Sequence, residues 1–259
     1  MAVVQVDGVS LAYDDLGAGD PAIVWIHGGT TNRSYWHRFQ IPHFGDRHRC
    51  VAVDLRGHGD SDKPGGPCPI TRFAADVAGL IETLQLDRPI VVGHSFGCAV
   101  AIQLAASRPE LTRAIVLNDG PSMVAPALER YLPMIEAFSS GTPVGEVMNT
   151  MFTNSGFFLD RHDPELRHQI VALCTAPNHS ATETIRALAE WDRDAVKGKI
   201  TFPALHLPGA KSACPEDQII DAIPQVVLAR TVGGGHFNAW EVPAQVNSMI
   251  TEFLREYVD

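Results

Sequence analysis

Gly93-His94-Ser95-Phe96-Gly97 follows an apolar run, Pro89 to Val92, and leads into a run of small and apolar residues, Cys98 to Ala106. The order is strand, sharp turn, helix. Val91 and Val92 suit a strand buried in a parallel sheet, and Cys98, Ala99, Ala101 and Ala105 let a helix pack close against it. The two glycines permit a tight turn and leave the Ser95 hydroxyl exposed above the strand end. G-x-S-x-G alone occurs often by chance, so the flanks carry the inference. A glycine-rich turn with an idle serine would leave those flanks unexplained.

Outward from this turn, short apolar runs alternate with helical patterns. Val3–Val6 and Ser10–Tyr13 flank Asp7-Gly8, the signal of a two-strand ribbon. Ile23–Ile26 reads as a strand ending at His27-Gly28-Gly29, and Cys50–Val53 as one ending at Asp54. Thr71 reads as a helix N-cap, with Phe73, Val77, Leu80, Ile81 and Leu84 at helical spacing behind it. Ala114–Leu117 is a further strand, ending at Asn118-Asp119-Gly120. This rhythm predicts an α/β fold with a mainly parallel sheet and helices on both faces. Ligands of such sheets sit beyond the carboxyl ends of the strands, so His27, Asp54, Ser95 and Asp119 are expected to face one crevice.

From 121 to 196 the rhythm breaks. Met123, Leu128, Tyr131, Met134, Ile135, Phe138, Met148, Met151, Phe152, Phe157 and Phe158 predict helical segments without strands. Ordinary helical packing accounts for any one of these residues, but an insertion at the carboxyl edge reads as a lid. The expected division is a core of residues 1–120 and 197–259 with a cap at 121–196. The α/β pattern resumes with a strand at Ala204–Leu207, a helix near Pro215–Ile223, a strand at Val226–Val232 and an amphipathic helix from Pro243.

A chain of 259 residues suits one α/β unit with an insertion. The formal charge of −10, with no basic block, argues against nucleic-acid or anionic-membrane partners. No apolar run approaches the roughly 18 residues of a membrane span, and Met1 to Asp7 lacks a signal-peptide pattern. The expected location is the cytoplasm. Cys50, Cys68, Cys98, Cys174 and Cys214 contain no C-x-x-C pair and read as reduced, packed residues. Arg161-His162-Asp163 with His168 matches no usual metal-ligand spacing. Gly233-Gly234-Gly235 lacks the pattern of a phosphate loop.

A serine hydroxyl is a weak nucleophile near neutral pH and needs a base within hydrogen-bond reach. His236 is the candidate, in Gly233-Gly234-Gly235-His236-Phe237 between the last strand and the last helix. Serine before histidine is the order expected of this turn.

With these pieces in place the chain resembles the α/β-hydrolase family along nearly its full length. The matching motifs are His27-Gly28-Gly29, Asp54-Leu55-Arg56-Gly57-His58-Gly59-Asp60-Ser61, the Ser95 elbow, and Gly235-His236 followed by Glu241-Val242-Pro243. The resemblance implies an oxyanion hole made by the backbone N–H groups of Gly29 and Phe96. It implies an architectural role for Asp54, Arg56 and His58, and no metal or organic cofactor. The commonest acid position in the family follows the penultimate strand in a G-x-x-D context. Here Pro208-Gly209-Ala210-Lys211-Ser212-Ala213 places Ser212 there. Asp119 is the leading alternative, as in zearalenone-type lactonases and cofactor-free dioxygenases, and Asp217 or Glu216 stays open. His94, Trp36 and Trp191 are the candidate pocket residues.

The resemblance implies a serine hydrolase that cleaves a carboxylic ester or lactone of a hydrophobic small molecule through an acyl-enzyme on Ser95. Haloalkane dehalogenases and epoxide hydrolases of this fold carry aspartate where Ser95 stands. Hydroxynitrile lyases place lysine beside the catalytic histidine, where this chain has Phe237. Two other readings stay open. One is a cofactor-independent dioxygenase of quinolone-type heterocycles using a His236–Asp119 pair. The other is a ligand receptor that kept the pocket and lost turnover.

Overall fold

The computed structural model describes residues 1–124, 129, 131–154, 157–158, 164–210, 212 and 214–258. The apolar runs become strands β1 (Ala2–Val6), β2 (Val9–Leu16), β3 (Ile23–Ile26), β4 (Cys50–Val53), β5 (Ile90–His94), β6 (Ala114–Asn118), β7 (Ala204–Leu207) and β8 (Val227–Leu228). They form one sheet in the order β1-β2-β4-β3-β5-β6-β7-β8. Only the β1–β2 and β2–β4 pairings are antiparallel; β4, β3, β5, β6, β7 and β8 run parallel. This is the α/β-hydrolase architecture.

Helices cover both faces, because alternate residues of a strand point to opposite sides. Helices α1 (Gln40–Phe44), α2 (Ile70–Thr83) and α3 (Phe96–Ser107) lie in the first half of the chain. Between β6 and β7 come α4 (Leu132–Ser139), α5 (Val144–Asn154), α6 (Pro164–Val171) and α7 (Asn178–Ala189). After β7 come α8 (Glu216–Ala222), α9 (Asn238–Glu241) and α10 (Pro243–Tyr257). Val24, Ile26, Val51, Val53 and Val91 pack in one layer with the apolar residues of α2 and α3. Ile23, Trp25, Cys50, Ala52 and Val92 pack in the other with those of α1 and α10. No helix among the described residues is long and apolar enough to cross a membrane.

Two boundaries differ from expectation. Helix α2 starts at Ile70 after Pro69, which makes no side-chain cap bond, so Thr71 is the second helical residue and is exposed. The strand expected over Val226–Val232 reduces to the two residues of β8. An edge strand has one neighbour, and β8 pairs only with Leu205 and His206 of β7; Val232 is solvent-exposed. Leu128, Arg161-His162-Asp163, Lys211 and Ala213 lie outside the described residues. No strand occurs among the described residues of 121–196.

The register sets the heights of the strand ends. Gly93 pairs with Ile26 and Leu117, His94 with Asn118, and Asn118 with Leu207. The ladder continues one step: Ser95 N–H donates to the Asn118 carbonyl (3.2 Å) and Asp119 N–H to the Leu207 carbonyl (3.0 Å). Ser95 and Asp119 therefore leave the sheet in one row.

The turn from β3 is fixed to that after β4 by Arg33. Its Nε donates to Asp14 (2.7 Å) and its Nη1 to Asp54 and Asp60, while its backbone N–H donates to Asp54 Oδ1 (2.7 Å). Asp54 is fully buried and also accepts the Asp60 N–H (2.8 Å), so this motif braces the loops under the crevice. Replacing Arg33 by Met strands the Asp54 carboxylate without its cation. Arg33→Met is expected to lower stability by about 3 kcal/mol, read as a lower urea midpoint at an unchanged slope. A midpoint within error of the parent would show that the pair is not the brace.

Candidate active site

Ser95 sits between β5 and α3 with φ 52° and ψ −114°, a conformation that L-residues rarely adopt and that costs on the order of 1–3 kcal/mol. The flanking glycines are required sterically. A Cβ on Gly93 would collide with the Gly97 carbonyl, and one on Gly97 would lie 2.5 Å from the Ile26 carbonyl. Phe96 opens α3, so its N–H has no carbonyl four residues earlier in that helix. Gly29 lies beside it: a Cβ built there would be 3.6 Å from the Phe96 Cβ. Gly29, Ser95 and Phe96 all line one cavity of about 310 Å³.

His236 lines the same cavity. Its Nδ1 lies 2.5 Å from Asp119 Oδ2. An ionised carboxylate only accepts hydrogen bonds, so Nδ1–H is the donor and the Nε2 lone pair is left for a proton. The His236 backbone N–H donates to the Phe157 carbonyl (2.8 Å), and the Phe157 ring stacks on the imidazole at 4.5 Å. His94 Nε2 donates to the His236 carbonyl (2.9 Å). The Glu241 carboxylate accepts the Gly235 N–H (2.7 Å). The histidine loop is thus held by His94, Glu241 and Phe157.

Asp119 is almost wholly buried and, like Ser95, has a positive φ (48°). Burial pushes its pKa up, but the hydrogen bond and charge of His236, the Ser212 hydroxyl group and the Gly209 N–H (2.8 Å) together outweigh it and leave the carboxyl below its ordinary value. The residue at the usual acid position therefore helps keep the Asp119 carboxyl ionised. Asp217 is exposed in α8 and Glu216 pairs with Arg230 (2.8 Å); among the described contacts neither touches His236.

The expected pocket residues divide. His94 lines the cavity, buried under a stacked Tyr35 ring at 4.6 Å. Trp36 does not line it. The 3₁₀ turn Arg33–Trp36 directs that indole inward, fully buried against Trp25 at 5.0 Å. Trp191 is likewise away from the cavity, with its N–H donating to Gln103 of α3 (3.0 Å). The walls instead come from Met134, Met148, Met151, Phe152, Phe157, Ile185 and Leu188. Arg193, which also lines the cavity, had no local sequence signal. His168 is exposed and lies 4.0 Å from Glu165, and no cluster of metal-ligating side chains occurs among the described residues.

The alpha/beta hydrolase family model matches residues 23–249. The chain belongs to that family. It is similar to a 3-oxoadipate enol-lactonase 2 of Acinetobacter baylyi, 29% identical over 78% of this chain and 76% of the relative. A 2-(acetamidomethylene)succinate hydrolase of Mesorhizobium japonicum is 38% identical over a shorter stretch, 45% of this chain and 41% of that protein. The solved enol-lactonase of Burkholderia xenovorans LB400 superposes with a TM-score of 0.86 at 22% identity, covering 98% of this chain and all of the other. The chain is accordingly a hydrolase of the α/β-hydrolase type.

Burial holds three histidines around the site neutral. His27 is lowered to about 4 by burial. His58 and His94 are each lowered to about 3, by burial and then by the neighbouring His27 and His236 respectively. On unfolding each regains a value near 6.5, so between about pH 6.5 and 4 the unfolded chain binds more protons than the folded one. Stability therefore falls as pH drops through that window, by up to about 1.4 kcal/mol per pH unit for each histidine. Urea midpoints are expected to drop steeply from pH 7 to pH 5; a flat profile would mean that the three rings are protonated in the fold.

Proposed function

We propose that the protein is a serine hydrolase that cleaves a carboxylic ester or lactone of a small, largely apolar molecule, with Ser95 as nucleophile. The observation that carries this reading is the 2.5 Å His236–Asp119 contact in a cavity that Ser95 also lines. Similarity to a protein named an enol-lactonase supports the lactone arm. Residues 121–196 act as a cap over the core of 1–120 and 197–259, because Met134, Met148, Met151, Phe152 and Phe157 form the apolar wall of the cavity. The cap selects an apolar body and keeps bulk water from the reacting carbonyl.

In this mechanism Ser95 Oγ attacks the carbonyl carbon while His236 Nε2 takes the hydroxyl proton. Asp119 holds the ring and stabilises the imidazolium. The N–H groups of Gly29 and Phe96 bind the developing oxyanion, worth on the order of 3 kcal/mol each. On collapse His236 returns the proton to the leaving alkoxide and the acyl group stays on Ser95. A water molecule, deprotonated by His236, then attacks the acyl carbon. The acid leaves and Ser95 recovers its proton. Every step uses only groups of this chain, substrate and water.

An aryl fluorophosphonate should form one covalent adduct per chain at Ser95, with loss of fluoride, and none in Ser95→Ala. A folded sample that takes no label would sink the nucleophile assignment and turn attention to oxygen uptake on hydroxyquinolones by the His236–Asp119 pair. Asp119→Asn is expected to lower kcat by about ten-thousand-fold while the folded circular-dichroism spectrum persists. Near-normal turnover in that variant would remove Asp119 from the mechanism.

A further inference from the structure

The described residues include three buried arginines, Arg33, Arg56 and Arg193. Arg33 is matched by Asp14, Asp54 and Asp60, and Arg56 by Asp76. Arg193 differs. Its Nε donates to the Ser122 carbonyl (2.9 Å), its Nη1 to the Trp191 carbonyl (2.9 Å) and its Nη2 to the Leu188 carbonyl (2.8 Å). The Trp191 ring lies 5.0 Å from Cζ. No carboxylate among the described residues pairs with it. Its neighbours Asp192 and Asp194 are exposed; the first accepts the Ala195 N–H and the second pairs with Lys197.

A desolvated cation facing only neutral dipoles is costly, and burial does push the Arg193 pKa down, with Tyr131 opposing. The guanidinium has five N–H groups, and three carbonyl bonds leave one N–H on each Nη. Ser122 and Leu188, whose carbonyls hold the group, line the cavity together with Arg193, Ser95 and His236. Arg193 is the one lining residue, among those described, with a fixed charge.

We propose that Arg193 is an anion anchor, so that the molecule cleaved at Ser95 carries a carboxylate on its otherwise apolar body. The proposal rests on the hydrolase reading above for the cleavage and on the unpaired guanidinium for the carboxylate. A cavity of about 310 Å³, near the lower limit for small-molecule sites, places the anion and the reacting carbonyl in one compact molecule. The carbonyl bonds hold the guanidinium plane fixed, and the anion supplies the charge that no described residue provides.

Binding to Ser95→Ala protein, which needs no turnover, tests the anchor by calorimetry with 4-phenylbutyrate and 4-phenylbutanamide. The carboxylate should bind about 10- to 100-fold more tightly than the amide, and Arg193→Gln in that background should erase the difference. Equal binding of the two ligands with Arg193 intact overturns the anchor, whether or not the Gln variant folds. A Gln variant that weakens both ligands equally also overturns it, since Arg193 would then be only a brace. The active enzyme adds the ratio of kcat/KM for the monophenyl ester of glutaric acid to that for phenyl pentanoate. That ratio should exceed about ten and fall toward one in Arg193→Gln. Hydrolysis of both esters without charge preference overturns the anchor and leaves the hydrolase reading standing. Charge-selective binding with no cleavage of any ester supports the anchor and overturns the hydrolase reading.

Discussion

In a parallel sheet, side chains at adjacent strand ends meet only if the strands finish at the same height. Here the pairing of His94 with Asn118 and of Asn118 with Leu207 brings Ser95, Asp119 and Pro208 out of the sheet in one row. The backbone bonds Ser95 N–H to Asn118 and Asp119 N–H to Leu207 tie that row together after the strands end. Both side chains sit at positive φ, and each such residue opposes folding. The cost is borne because β5 and β6 lie inside the sheet, paired on both sides, and the adjoining α3 is buried along nearly its whole length. A one-residue slip between β5 and β6 would reverse the face of every side chain and separate the serine from the carboxylate.

The central strands were legible because they are buried on both faces, which forces continuous apolar runs such as Ile23–Ile26 and Cys50–Val53. At the edge that rule lapses. The apolar stretch around β8 extends beyond the two residues that find partners on β7. Ser95 and His236 carried their own local signatures, a glycine-flanked turn and a glycine-rich loop. Asp119 carried only its place at a strand end, and its bond to His236 spans 117 positions. Trp36 and Trp191 show the converse. Each lies near a segment that lines the crevice, but the direction of an indole is set by its packing partner, Trp25 or Gln103, which the local sequence around the indole does not reveal.

The serine at position 212 makes physical sense once Asp119 is the partner of His236. Both positions act on the same buried carboxylate, since the Ser212 side chain lowers the Asp119 pKa and the Gly209 N–H donates to it. An aspartate at 212 would bring a second carboxylate into the electrostatic surroundings of Asp119. Like charges sharing a site raise a pKa strongly, and one of the two would take up a proton. A hydroxyl there does the opposite and stabilises the ionised form of its neighbour. Asp119 and Ser212 therefore form a consistent pair.

The electrostatics of the cavity follow from how each ionisable group is spent. His27, His58 and His94 are held neutral by burial, and the charge of Asp119 is directed at His236. What faces the cavity is the His236 imidazole, lining it with Ser95, and the guanidinium of Arg193. A substrate anion drawn to that cation would orient the molecule before any bond changes, which is worth most where the reacting atoms must be aligned.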